Sequence, residues 1–296
     1  ILNSSIGIGN TANISKLQVT NGSVLFEGTI GSTPVSGAGT RMMWIPERAA
    51  FRAGKVTSSE WNESVIGEGS AAFGIDCRAE ANYSFATGSN NMARSLNSFV
   101  SGSFSGALGE NAAAFGKNSV AESYCSFVIG RCNGRSSISA YTWEPLDPLF
   151  VIGNGVDDNN RSNALTVLKN GNVGIGTTLA SNPNGYRLAV NGMIGAKEIK
   201  VEISSSTWAD YVFDKEYKLK SLEEVEKFIG INKHLPNIPS AYEVETKGIN
   251  LGEMNTMQME KIEELTLYII EINKKLSELD AIVKVQQQQL KTFQKR

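Results

Sequence analysis

Apolar and polar positions along this chain follow two unlike rhythms. Between residues 70 and 130 a short motif returns five times: Ser-Ala-Ala-Phe-Gly, Ser-Phe-Ala-Thr-Gly, Ser-Phe-Val-Ser-Gly, Ala-Ala-Ala-Phe-Gly and Ser-Phe-Val-Ile-Gly. It places Gly74, Gly88, Gly102, Gly116 and Gly130 at a strict 14-residue interval, and Ala79, Ala93, Ala107 and Ala121 keep the same interval five residues on. From Ile262 the spacing of apolar residues alternates between three and four: Ile262, Leu265, Ile269, Ile272, Leu276, Leu279, Val283, Leu290 and Phe293, with Gln286 on one of the d places. The first rhythm predicts short stacked strands, the second a supercoiled helix.

A 14-residue coil has room for a strand of about five residues and two tight turns, and stacked coils advance about 4.8 Å each. Glycine supplies turn conformations that a side chain forbids. Two places before each glycine stand Ala72, Ala86, Val100, Ala114 and Val128, which with the alanine row make two narrow inward rows. At about 25 cal/mol per Å² such rows bury too little to offset the ordering of a lone coil. The expectation is that several chains stand side by side around one axis, each covering its neighbour's thin face.

The Ser-x-Ala-x-Gly units over about residues 62–135 resemble the head repeats of trimeric autotransporter adhesins, the YadA-like left-handed parallel β-roll. That resemblance implies a homotrimer of rolls. Ala112 departs from it in place of a serine, and Gly106 and Gly109 add an unusual pair in the third coil.

The roll is bracketed by a second repeat. Ile6-Gly-Ile-Gly followed by Lys16-Leu-Gln-Val before it matches Val173-Gly-Ile-Gly followed by Arg187-Leu-Ala-Val after it, which predicts two copies of one small β module. Asn21-Gly22 and Asn191-Gly192, each between alternating apolar residues, predict hairpin turns. Pro145 and Pro148 argue against a central strand and make 136–149 a collar or outward loop. Residues 40–61, with Met42, Met43, Trp44, Phe51 and Trp61, are expected to cap the upper end of the roll.

Character changes near residue 196: 26 of the 29 glycines lie before it, and 32 charged residues crowd the last 101 against 26 earlier, so strands and turns give way to helix. Ser221 and Glu224 stand at capping-box spacing at the head of a helix, and Lys233-His-Leu-Pro-Asn-Ile-Pro marks a turn. The order from Trp208-Ala-Asp-Tyr to Gly252-Glu-Met-Asn and the heptads is similar to the C-terminal region of tail-fibre-like surface proteins of Bacteroidota. More distantly it resembles the endosialidase-type intramolecular chaperone domain, which implies a fibre-capping assembly role. Self-cleavage in that family needs a serine before a Ser-Asp-x-Arg-x-Lys-like stretch; Val201-Glu-Ile-Ser-Ser-Ser-Thr stands here, so cleavage is not carried over. Isoleucine at both a and d (Ile269, Ile272) favours three or more strands over two, without fixing the number. A single amphipathic helix packed on its own domain is the competing reading.

The expected organisation is thus mainly β with C-terminal α: a β module and cap over 1–61, the β-roll over 62–135, collar and second β module over 136–195, a small α+β assembly domain over 196–261 and a trimeric coiled coil over 262–296.

Charge and chemistry then narrow the function. A formal net charge of −2 gives no basic field for nucleic acid, and no apolar run reaches the length of a membrane span. The chain opens at Ile1, so a leader or upstream shaft is expected to have been removed. Cys77, Cys125 and Cys132 form no CxxC pair and stand with a single histidine, too few soft ligands for zinc; they read as buried thiols, and their odd number leaves room for a cross-chain disulfide. His234, in a proline-rich turn, is the one residue on which a nucleophile–histidine site would have to be built. Gly153-Asn-Gly-Val-Asp-Asp-Asn-Asn gathers oxygen ligands but lacks EF-hand spacing, and the Gly-Ile-Gly segments lack the third glycine and following helix of a dinucleotide fingerprint. Asp76, Glu80, Glu110 and Glu122 are the carboxylates a glycan-cleaving roll would use, and they read better as solubilising charges. No catalytic, cofactor or metal residue is therefore expected. The resemblances imply an extracellular fibre on a phage, phage-tail-like particle or cell surface. Its expected partners are its own copies, a host-surface receptor with glycans among the candidates, and other fibre, baseplate or cell-envelope proteins. The alternative is a glycan-degrading or self-cleaving fibre on the same scaffold.

Overall fold

The structure, a computed structural model, describes residues 6–8, 17–19, 22–135, 138–177, 185–202 and 208–293, and the chain divides into two compact units, Ile1–Ile194 and Gly195–Arg296. In the first unit β1 (Ile6–Ile8) pairs in parallel with β2 (Leu17–Val19). β3 (Gly39–Ile45) and β4 (Ala50–Val56) form an antiparallel hairpin turned by Pro46–Arg48 and by Ala49 in the left-handed region. Then follow five longer strands, β5 (Ala71–Ile75), β7 (Phe85–Ser89), β9 (Phe99–Ser103), β11 (Ala113–Lys117) and β13 (Phe127–Arg131). They alternate with two-residue strands β6 (Arg78–Ala79), β8 (Met92–Ala93), β10 (Gly106–Ala107) and β12 (Val120–Ala121). Long strands pair with long and short with short, all in parallel, so the chain is a β-solenoid with a wide and a narrow sheet.

Register is set by the glycines, which lie opposite one another from strand to strand. Gly88, Gly102 and Gly116 sit at φ of 109°, 125° and 120°, and a β-carbon on any of them would stand about 2 Å from the next glycine's carbonyl oxygen. That carbonyl points into the roll because the glycine conformation has turned it there. Inside, it is met by a polar row: Asn91 Nδ2 donates to Gly102 O at 2.7 Å, Ser105 Oγ to Gly116 O at 3.1 Å and Ser119 Oγ to Gly130 O at 2.9 Å. Buried polar groups inside so narrow a roll are tolerable because each has this fixed acceptor.

Each coil turns twice through the left-handed region, at Asp76, Asn90, Phe104, Asn118 and Cys132 on one edge and at Tyr83, Asn97, Asn111 and Cys125 on the other. Asn and Asp suit such places because a short polar side chain can bond locally. Ser70, Ser84, Ser98 and Ser126 close the second turn by donating to the carbonyl three residues back at 2.5–2.7 Å. Ala112 cannot do so, yet its amide keeps a 3.3 Å bond to Gly109 O, and Gly106 holds the register of its sheet. The two predicted inward rows, Ala72 to Val128 and Ala79 to Ala121, are buried throughout.

Both ends of the roll differ from the periodic reading. At one end β4 joins β5 in parallel with Gly54 opposite Gly74, and Arg52 takes the inward place above Ala72. Its guanidinium is fully buried and donates to the carbonyls of Phe51, Ser70 and Ala79 and to Ser70 Oγ at 2.8–3.0 Å, while burial brings its pKa down to about 10. It stays charged at neutral pH and saturates the acceptors that the first coil leaves open. Trp61, also buried, donates Nε1 to Cys77 O at 2.9 Å and so packs on the first coil of the roll.

At the other end residues 138–147 run as loop, but the exclusion of Pro148 from a strand needs correction: it is the first residue of β14 (Pro148–Asn154), which lies between β13 and β15 (Asn163–Leu168). Proline is admissible there because the first residue of a strand need not donate to the ladder. Gly153 thereby extends the glycine ladder beyond Gly130. A second correction concerns Asn191-Gly192. β17 (Leu188–Val190) pairs in parallel with β16 (Val173–Ile175) and among the described residues no strand follows the Asn-Gly to make this hairpin; Asn21 of the other lies outside the described residues. The likeness of the two modules does hold: Ile6 faces Leu17 as Val173 faces Leu188.

In the second unit, a 3₁₀ turn (Ala209–Phe213) packs on a long helix, α3 (Leu251–Phe293, 43 residues). α1 (Leu222–Asn232) opens with the expected Ser221–Glu224 capping box, and α2 (Ala241–Lys247) has a second one built from Ser240 and Glu243. α3 begins eleven positions ahead of the first heptad residue, Ile262, because Asn250 accepts the amide of Met254 and Gly252 costs little in a first turn. Its near half is held by Tyr211 and Tyr217, whose hydroxyls donate to Glu260 at 2.6 Å and Glu264 at 2.5 Å, and by Tyr268, which donates to Lys220 O at 2.6 Å. The Glu260 hydrogen bond, followed by burial, pushes Tyr211 up to about 12. Lys261 bridges Glu260 and Glu264 at 2.8 and 2.7 Å.

Candidate assembly surfaces

The wide sheet of the roll has an outer face, and the phenylalanines of the repeat meet there. Phe51, Phe73, Phe85, Phe99, Phe115, Phe127 and Phe150 stack in one continuous row with ring centroids 4.9–5.8 Å apart. Some occupy the first and some the third place of their strand, both outward-facing in a pleated strand, so neighbouring rings interdigitate. None of the seven is fully buried, and Phe127 is 41% exposed.

The narrow side of the roll is charged instead. Arg78 lies 3.4 Å from Glu60 and 3.5 Å from Glu80, Arg94 lies 3.2 Å from Glu80, and Glu122 pairs with Arg135. Two of the four carboxylates a glycan-cleaving site would draw on are thus engaged with arginines, and a third, Asp76, accepts from Thr57 N at 2.6 Å.

On α3 every described heptad residue lies open. Ile262, Leu265, Ile269, Ile272, Leu276, Leu279 and Leu290 are all more than half exposed, Val283 is 39% exposed, Gln286 is exposed too, and the side chain of Phe293 lies outside the described residues. Past Tyr268 the ion pairs of the helix are its own, Glu271 with Lys275 and Asp280 with Lys284. A helix stabilised only in this way is marginal in water. The alternative of one helix packed along its whole length on its own domain does not describe this half.

The other chemical candidates resolve into local structure. His234 keeps Nδ1 3.0 Å from Leu235 O and sets its ring edge-on to Phe228. In the 153–160 loop Asp157 accepts from Asn159 N, Asn160 N and Asn160 Nδ2 at 2.8–3.0 Å, bonds that hold its carboxyl below the usual range, while Asp158 pairs with Arg161. Among the described residues no group of three or more His, Cys, Asp or Glu side chains could hold a metal ion. Cys77 and Cys132 are buried free thiols and Cys125 is a half-buried one; burial pushes Cys77 up. The serine stretch weighed for self-cleavage, 203–207, lies outside the described residues.

Lys169 gave no signal in the sequence. It follows β15, its ammonium is fully buried 3.7 Å from Asp147, and it lies 5.2 Å from the Trp143 ring centroid and 5.8 Å from that of Tyr124. Lys169 N donates to Asp147 O and Asn170 N to Pro145 O, so these two residues clamp the collar onto the roll from several sides. Lys169→Met, which keeps the stem and removes the charge, should cost about 2 kcal/mol and open the collar. Faster hydrogen exchange confined to 138–147 is the expected readout; unchanged exchange there would show that the ammonium does not hold it.

No protein family, curated protein or solved structure matches the chain. No helix among the described residues is long and apolar enough to cross a membrane.

Proposed function

We propose that the chain is one strand of a homotrimeric extracellular fibre of tail-fibre or adhesin type, which works by projecting and binding. The observation that carries the reading is that a single copy leaves the α3 heptads exposed and the phenylalanine stack only half-buried, and these are its two most regular apolar rows. Burying each such side chain is worth about 1.5–3 kcal/mol, and both rows are as regular as the backbone that carries them, as self-complementary contacts between copies require. In this reading left-handed 14-residue coils stand around a common axis with their phenylalanine faces inward and their Arg–Glu faces outward. α3 closes the assembly as a three-stranded coiled coil, and the unit before it guides assembly. Tyr141, Trp143 and Leu146, exposed on the collar, are the surface offered to a host receptor, for which a glycan is the favoured class.

Mass photometry of the purified protein is the test. Particles of three times the 31.9 kDa chain mass are expected. A single-chain mass would overturn the proposal, and a two-chain mass would overturn its threefold part.

A further inference from the structure

β3 is the outermost strand of the eleven-stranded sheet, so among the described residues the backbone groups along one side of Gly39–Ile45 have no strand to meet. Its outer face shows Met42 and Trp44, and Trp44 stands opposite Phe51, the first ring of the stack. An edge of this length and apolarity is one that proteins ordinarily cover.

The same chain holds a segment of matching character. Residues 22–30 run without strand or helix and show Val24, Leu25, Phe26 and Ile30 to solvent, Leu25 at 80% and Ile30 at 85% exposure. No hydrogen bond ties them to the described residues, whereas the chain just after them is fixed. Gly31 O accepts from Glu47 N at 3.4 Å, Thr33 N donates to Glu63 Oε2 at 2.7 Å and Gly37 N to Asn62 Oδ1 at 2.9 Å. The Thr33 and Arg48 hydrogen bonds hold the Glu63 carboxyl down at about 2, so this anchor is charged at neutral pH. Gly28 lies against Pro46, where its β-carbon would be 3.2 Å from the proline ring, and Pro46 directly follows β3. Arm and edge therefore start from the same corner, and yet within one chain neither covers the other.

We propose that residues 22–30 are an exchanged arm that adds as a strand to the free edge of β3 in a neighbouring copy. Nine residues extended reach about 30 Å, enough to span the seven of β3. Alternation puts Val24 and Phe26 on one face, where they continue the outer row past Trp44, and every copy brings one arm and one edge, so a ring of copies closes with none left over. The proposal rests on the self-association reading and adds which segment crosses between copies.

The test is the double variant Phe26→Cys with Met42→Cys, oxidised and run on a denaturing gel without reductant beside the wild-type chain, with mass photometry of both. The expected result is a covalent ladder up to three chain masses for the double variant and none for wild type. Multimeric particles whose cross-link stays within one chain, or that form none, would overturn the arm exchange and leave self-association standing; single-chain wild-type particles would overturn both. Hydrogen exchange of the wild-type protein gives the same answer without substitution: protection over 22–30 and β3 is expected, and rapid exchange over 22–30 would overturn the proposal.

Discussion

Gly102→Ala should unfold the roll, while Gly106→Ala, four residues away in the same coil, should be tolerated. At Gly102 the backbone has φ of +125° and the added β-carbon would lie 1.9 Å from Gly116 O. Relief demands that the coils part or that the glycine carbonyl turn out of the roll. Turning Gly116 O out removes the acceptor that Ser105 Oγ meets there at 3.1 Å. The backbone conformation alone costs about 1–3 kcal/mol for a residue with a side chain, and the lost ladder bonds bring the total to about 4 kcal/mol or more. At Gly106 the nearest atom to an added β-carbon is Leu108 Cδ2 at 3.6 Å, an ordinary contact, and the equivalent places in the neighbouring short strands hold Met92 and Val120. Thermal unfolding followed by far-ultraviolet circular dichroism separates the two. Because each coil touches only its neighbours, a break at Gly102 divides the stack near its middle, where neither half retains a full core. Equal melting temperatures for the two variants would refute the account of the glycine ladder.

The same ladder shows where sequence is a sufficient guide and where it is not. Gly74 to Gly130 are legible because strict stacking imposes one period on every residue that touches its own kind in the next coil. Gly54 continues the ladder at one end and Gly153 stands opposite Gly130 at the other, but they arrive through a hairpin and a collar of other lengths, so no period announces them. The phenylalanine row is hidden for a different reason. Phe73 and Phe115 take the third strand place, Phe85, Phe99 and Phe127 the first, and only the pleat makes those two places equivalent. Arg52 and Lys169 could not be foreseen because their roles depend on which carbonyls and rings the ends of the roll leave unmatched. Pro148 and Asn191-Gly192 misled because each has a strong local preference that the next strand overrode: β13 offers Phe150 and Val151 a parallel partner, and β16 takes up β17 before any turn can return it. On α3 the heptads could be read at once, since a helix displays its period whether or not anything covers it.

Ile269→Asn combined with Ile272→Asn should abolish association through α3 without disturbing the roll. Both side chains are exposed in the single chain, at 65% and 53%, so a protein that worked as a monomer would lose nothing by the change and would gain solubility. In a coiled coil the same two places form consecutive a and d layers. Three copies then forfeit six buried isoleucines, on the order of 10 kcal/mol for the assembly at about 2 kcal/mol each, before the cost of burying amides without partners. A coiled coil can tolerate one polar layer, such as Gln286 at a d place would make, but two further consecutive layers at 269 and 272 leave no apolar run long enough to hold the register. Helix content should fall with association, because the salt bridges of α3 past Tyr268, Glu271 with Lys275 and Asp280 with Lys284, lie within the helix and cannot replace the lost partner helices. The measurement is paired: particle mass, and circular dichroism at 222 nm. Loss of both with the melting of the roll preserved is expected. A double variant that keeps its full mass and helicity would mean that these isoleucines face solvent in the assembled protein, and the heptad stripe would then have no part in joining the chains.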